Sequence, residues 1–188
     1  MEFTGVNKQY HIYKLDIDRA IQKVLNEGQF ILGPEVHQLE EALAKYIGVK
    51  YCLGVSSGTV ALQIAMMALD IGPGDEVITV PFTWIATAES IALLGAKPVF
   101  ADIDPETYLM DLNHVETLIT PRTKAIMPVS LFGQMPDFTA LNAIAKKYGI
   151  AIIEDGAQSF GSTQKGVLSG SLTTIGCTSF FPTKPLGC

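Results

Sequence analysis

The stretches "DEVITVP", "KPVFADI", "TKAIMPVS" and "GIAIIEDG" are short, rich in β-branched residues and bounded by turn formers, and their apolar runs do not alternate with polar positions. A strand with one wet face alternates; a strand covered on both faces reads as a continuous apolar run. Helical patterns separate these runs. "VALQIAMMALDIG" follows the turn "SSGT", "TWIATAESIALLGA" follows "EVITVP", and "MPDFTALNAIAKKYG" lies between the last two runs. Two more helices are predicted ahead of them: "DIDRAIQKVLNEG", stopping at Gly28, and "PEVHQLEEALAKYIG", with Pro34 early and Gly48 just past its end. "YCLGV" reads as the first strand and "TIGCTSFF" as the last. Strands and helices in alternation predict an α/β fold of three layers, α/β/α, around a mostly parallel sheet.

A chain of 188 residues suits one domain or a large part of a two-domain protein. With 48% hydrophobic residues it has the material for a substantial core. A net charge of -6 and the lack of any basic run argue against nucleic acid as a partner. No apolar stretch reaches the length of a membrane span, and "MEFTGVNKQY" lacks the form of a signal peptide. Cys52, Cys177 and Cys188 lack paired metal spacing and read as apolar thiols in a reducing compartment, with the cytoplasm as the default. His11, His37 and His114 show no ligand spacing either. Asp102 and Asp104 resemble an acidic metal pair, but the turn-forming Asp-Pro accounts for them.

In parallel sheets the chemistry gathers at the carboxyl ends of the strands. Ser56, Ser57, Gly58 and Thr59 close the first strand and open a helix, which suits a phosphate or carboxylate. A plain helix cap uses the same residue types. Trp84, the one tryptophan, stands where the second strand yields to a helix; it suits stacking on a flat ring, or simply burial in a core. Glu154 and Asp155 end a buried strand, where a carboxylate needs a cation or several donors. Asp155 could hold a protonated ring nitrogen, or cap the next turn. Gln158 could reach the same ligand or be a surface amide. Ser179 and Lys184 flank the loop after the last strand, where the lysine could serve as a nucleophilic amine. Alone, a loop lysine is ordinarily a solvated surface group. Together the strand ends supply a phosphate site, a stacking aromatic, an acid, an amide and an amine, and this inventory fits pyridoxal phosphate.

The motifs "GQFILGPEV", "VSSGT", "IGPGDEVITVPFTW", "KPVFADIDPETY", "ITPRTKAIMPVSLFGQ", "IIEDGAQSFG" and "SFFPTKPLGC" resemble the DegT/DnrJ/EryC1/StrS sugar aminotransferases, fold type I pyridoxal-phosphate enzymes, along essentially the whole chain. The resemblance implies that Lys184 holds the cofactor aldehyde as a Schiff base and that Asp155 pairs with the pyridinium nitrogen. It implies Gln158 on the phenolic oxygen, Trp84 on the ring face, and Gly58, Thr59, the backbone of Val60 and Ser179 around the phosphate. The expected reaction moves an amino group from an amino acid, by family habit glutamate, to a nucleotide-linked keto-sugar of cell-surface polysaccharide or related synthesis. Rival expectations are a sugar dehydratase of the same family, in which histidine replaces the lysine, and an inactive cofactor-binding fragment. Members of the family are about twice as long and act as homodimers. Residues 1–188 therefore correspond to an incomplete cofactor-binding large domain, expected to lack the next, antiparallel strand and a C-terminal small domain, and to be poorly stable and inactive alone.

Overall fold

The computed structural model describes residues 5–187. Its elements in chain order are α1 (Val6–Glu27), α2 (Pro34–Ile47), α3 (Gly58–Ala68), β1 (Glu76–Thr79), α4 (Ala86–Leu93), β2 (Lys97–Phe100), α5 (Leu112–Thr117), β3 (Thr123–Ile126), α6 (Phe138–Tyr148), β4 (Ala151–Asp155), β5 (Thr163–Gln164), β6 (Val167–Leu168) and β7 (Ile175–Cys177). A 3-10 turn at Leu131–Gly133 precedes α6. β2, β1, β3, β4 and β7 lie side by side in that order, every neighbouring pair parallel. The order reverses direction after β1, and the crevice at such a reversal is where α/β sheets bind ligands.

Neighbouring residues of a strand point to opposite faces, so the runs of β1, β3 and β4 each feed two cores. β2, expected to be covered on both faces, is instead the partly exposed edge strand, because a neighbour lies on one side of it only. Val77, Ala125, Met127, Ile153 and Cys177 pack beneath α3 and α4 against Leu62, Met66 and Ile91. Ile78, Ile126 and Ile152 pack on the other side against Val115, Phe138 and Leu141 of α5 and α6. This is the predicted three-layer α/β arrangement with a parallel sheet. Because Ile153 faces α3 and α4 while Ile152 faces α6, the two carboxylates that follow must diverge: Asp155 toward α3 and α4, Glu154 toward the opposite layer.

Two of the predicted strands come out differently. "YCLGV" forms no strand: residues 51–55 run without a ladder partner, and the Gly54 N–H donates instead to Glu40 Oε1 at 2.7 Å. An extended segment becomes a strand only beside another, and among the described residues none lies there; Tyr51 and Leu53 are left exposed. "TIGCTSFF" is a strand only over Ile175–Cys177, where β4 offers a ladder partner. Sequence pattern also missed α5 and the β5–β6 hairpin, and it began α1 too late. Among the described residues no helix is long and apolar enough to cross a membrane.

Candidate functional site

Three chain segments meet at the carboxyl end of the sheet. The first is the end of β4. Asp155 is only 7% exposed, and its carboxylate accepts from Thr87 Oγ1 at 2.8 Å and from the Ala157 N–H at 3.2 Å. Burial pushes its carboxyl above the ordinary carboxylate range, while those two donors and the Lys184 charge pull it down. A carboxylate in this state favours a proton or a cationic N–H partner.

The second segment is the turn from β1 into α4. It carries Trp84, which is 72% exposed and therefore not a core residue. The Thr87 N–H donates to the Trp84 carbonyl at 3.1 Å, so the helical turn that presents the indole also delivers a hydroxyl to Asp155.

The third segment is β7 with the loop beyond it. β7 pairs with β4 so that Cys177 lies opposite Asp155. Burial first, then the Asp155 and Glu154 charges, push the Cys177 thiol up to about 12, which leaves it a protonated, unreactive packing group. Beyond it, Ser179 comes against the start of α3: a Cβ added at Gly58 would sit 3.0 Å from Ser179 Cβ. Glycine leaves room for this close approach, which brings the Ser179 hydroxyl to the helix start. Helix geometry leaves the N–H groups of Gly58 and Thr59 without intrahelical acceptors. The Val60 N–H is already given to the capping hydroxyl of Ser57 at 3.2 Å, so at this position the ordinary cap is realised. Lys184, half-buried, follows in a turn closed by its N–H on the Phe181 carbonyl at 2.8 Å.

Gln158 is half-buried, and its Oε1 accepts from the Phe132 N–H at 2.8 Å, which leaves the amide nitrogen to donate elsewhere. Thus Gly58, Thr59, Ser179, Trp84, Asp155 and Lys184 belong to one end of one sheet, with Gln158 at its margin. Asp104 accepts from the N–H groups of Glu106 and Thr107 and shapes its own turn, and His114 Nδ1 accepts from the Asp102 N–H. A shallow groove of about 240 Å³ lined by His37, Glu40, Tyr51 and Cys52 contains none of the site residues. Cys188 lies outside the described residues.

The sequence reading passed over two groups. Thr87 is one. The other is the set around Glu154, which is fully buried and accepts from Ser130 Oγ and Ser169 Oγ, each at 2.6 Å, and from the Gly170 N–H at 2.7 Å. Nothing in "ATAES", "PVS" or "VLSG" marks these hydroxyls, whose partner lies far along the chain.

Known proteins resemble this chain in sequence and fold. The sequence profile of the DegT/DnrJ/EryC1/StrS aminotransferase family matches residues 12–188. The chain is 61% identical over 188 residues to the UDP-2-acetamido-2-deoxy-3-oxo-D-glucuronate aminotransferase of Pseudomonas aeruginosa, covering 100% of this chain and 52% of that one. A crystal structure of a DegT DnrJ EryC1 StrS aminotransferase from Brucella abortus superposes with a TM-score of 0.97 at 43% identity, covering 100% of this chain and 52% of that one. NtdA from Bacillus subtilis, solved with bound cofactor PMP, gives a TM-score of 0.85 at 37% identity over 92% of this chain and 39% of that one. The chain spans about half the length of the curated relative it matches.

Proposed function

The chain belongs to the DegT/DnrJ/EryC1/StrS aminotransferase family, and from that membership we propose that it forms the cofactor-binding part of a pyridoxal-phosphate-dependent nucleotide-sugar aminotransferase. Its reaction moves an amino group from an amino acid, glutamate in our reading, to a keto-sugar linked to a nucleotide. The observation that carries this is the buried Asp155 carboxylate, on which the Lys184 charge acts across the same end of the sheet.

The residues present fit the cofactor. Asp155 is buried with a hydroxyl and one backbone N–H as its hydrogen-bond donors, a setting that a protonated ring nitrogen completes. At Gly58 the backbone comes so close to Ser179 that an added Cβ would sit 3.0 Å from its Cβ and 3.5 Å from its hydroxyl oxygen, the group we assign to the phosphate. When bound, pyridoxal phosphate supplies an aldehyde that takes up the amino group and a ring that receives the electron pair released at the substrate carbon.

This chain's side chains do the rest. Lys184 Nζ would hold the aldehyde and would be the amine that moves the proton, as base and then as acid. Asp155 would keep a proton on the ring nitrogen by its charge. The N–H groups of Gly58 and Thr59 and the Ser179 hydroxyl would hold the phosphate, while the Val60 N–H is given to the Ser57 cap. Trp84 would cover the ring face and the Gln158 amide N–H would reach the phenolic oxygen. A homodimer belongs to the same reading, supported by the apolar side chains that α1 and its following loop leave exposed, Leu15 and Ile31 among them.

The test uses protein expressed from the complete gene and mixed with pyridoxal phosphate. A visible absorbance band and glutamate-dependent amino transfer to a UDP-linked keto-sugar are expected, and Lys184→Ala should abolish both together. Turnover retained by Lys184→Ala would refute the lysine's role.

A further inference from the structure

We propose that Thr87 is a positioning residue for Asp155 and that Thr83, Thr87 and Asp155 form a directed hydroxyl chain fixing the acid and the Trp84 turn as one unit. Thr87 Oγ1 lies 2.8 Å from Asp155 Oδ2 and 3.0 Å from Thr83 Oγ1, and Thr87 is fully buried.

The direction of the chain follows from proton count. Opposite a cationic partner Asp155 is ionised and an ionised carboxylate only accepts, so the single hydroxyl proton of Thr87 then goes to Asp155. Thr87 must then accept from Thr83, whose proton points inward along the same line. Hydrogen bonds in series polarise one another, and each strengthens the donor that meets the charge.

Thr87, the second residue of α4, spends its hydroxyl outside its own helix. Serine and threonine inside helices commonly turn back onto the carbonyl one turn earlier. Ser90, in the same helix, does this, with Oγ 2.6 Å from the Ala86 carbonyl. The Thr87 hydroxyl instead leaves its helix for a residue 68 positions along the chain. Thr83 lies in the bend ahead of α4, where its hydroxyl meets that of Thr87, and the next residue, Trp84, is left exposed. The charged and titratable groups around the acid are Lys184, from the loop after β7, with Glu154 and Cys177 beside it. Lys184 comes from the loop after β7, whereas the threonine pair comes from the start of α4 and the bend before it. Asp155 is thereby held from the turn after β4 by the Ala157 N–H and from α4 by Thr87, and its orientation is set before any ligand arrives.

This inference rests on Asp155 being the partner of the ring nitrogen, and the experiment separates the two. Cofactor-free protein from the complete gene is titrated with pyridoxal phosphate, and the dissociation constant is read from absorbance for Thr87→Val, Thr87→Ser, Thr83→Val, Asp155→Asn and the pair Thr87→Val with Asp155→Asn. Loss of an orienting partner in the outer shell of a site typically weakens it by about tenfold to a hundredfold, which is the expectation for Thr87→Val. Thr87→Ser keeps the hydroxyl and should bind within about threefold of wild type; Thr83→Val, which removes a neutral donor, should lose about two- to tenfold. The pair should bind no more weakly than Asp155→Asn alone, because Thr87 acts through the acid. Thr87→Val binding like wild type while Asp155→Asn is impaired would overturn this inference and leave the site intact. Thr87→Ser as weak as Thr87→Val, or losses that add in the pair, would also overturn it. Should Thr87→Val fail to fold, unchanged binding by Thr83→Val overturns the directed chain. Asp155→Asn binding like wild type would instead sink the site assignment and this inference together.

Discussion

Ser169→Ala should be among the most damaging single-hydroxyl deletions in the chain, although Ser169 touches no site residue. Its Oγ donates to the fully buried Glu154 carboxylate at 2.6 Å. A hydrogen bond to a charged group is worth about 1.5–3 kcal/mol, and a carboxylate out of water has no solvent to replace the donor. Ser159 lies 2.7 Å from Ser169 Oγ and must donate to it, since the Ser169 proton is committed to the carboxylate. After the deletion Ser159 can swing to the Gly156 carbonyl, already 3.3 Å away, so it is not orphaned and adds little to the loss. The expected cost is therefore that of one charge-assisted bond, about 2–3 kcal/mol, and for a chain of this size about 5–10 °C in melting temperature. Ser130→Ala removes the other hydroxyl from the same oxygen and should cost a similar amount. The double substitution leaves Oε1 with neither hydroxyl and should exceed the sum by more than about 0.5 kcal/mol. Equilibrium urea unfolding followed by far-ultraviolet circular dichroism measures all three. A Ser169→Ala loss below about 0.5 kcal/mol, the size of an ordinary surface change, would refute the claim that hydroxyl donors hold this charge.

Gly176→Ala should cost about 3 kcal/mol, because its Cβ would lie 2.4 Å from Gly170 Cα and 2.6 Å from the Gly170 carbonyl oxygen, backbone against backbone; an unchanged melting temperature would contradict this. Gly58→Ala should weaken pyridoxal phosphate binding about tenfold while barely changing stability, since the gain in helix propensity of about 1 kcal/mol offsets the contact with Ser179; titration and melting on one sample check both halves. Asp155 has a folded-state carboxyl raised by burial, so the stability it contributes is present below its ordinary range and lost as pH rises through the raised value. Cofactor-free Asp155→Asn should therefore melt higher than wild type near neutral pH, and the difference should vanish below about pH 4; a difference that persists in acid would rule this out.

What the sequence made legible, and what it hid, divides along the reach of the interactions. The buried strands showed themselves because β-branched runs need no partner's identity to be recognised, and Trp84, Asp155 and Lys184 stood out because each follows such a run at the end where α/β sheets bind ligands. "YCLGV" carried the same propensity and failed, since propensity becomes a strand only when a ladder partner lies alongside. The β5–β6 hairpin left a trace that could have been found: Lys165 and Gly166 both take positive φ, 52° and 79°, and a residue followed by glycine between short strands is the mark of a two-residue turn. Thr87, Ser130 and Ser169 left none. A hydroxyl in a helix or loop has many local partners open to it, and its real partner is 68, 24 or 15 residues distant. Period-two alternation through "AIIED" does require Glu154 and Asp155 to diverge, one into each helical layer. It cannot say which donors each one meets. Glu154 takes two serine hydroxyls and the Gly170 N–H, and Asp155 takes Thr87 and the Ala157 N–H with the Lys184 charge acting on it. Most of those partners come from α4, the end of the β5–β6 hairpin and the loop after β7, which converge around a single strand end.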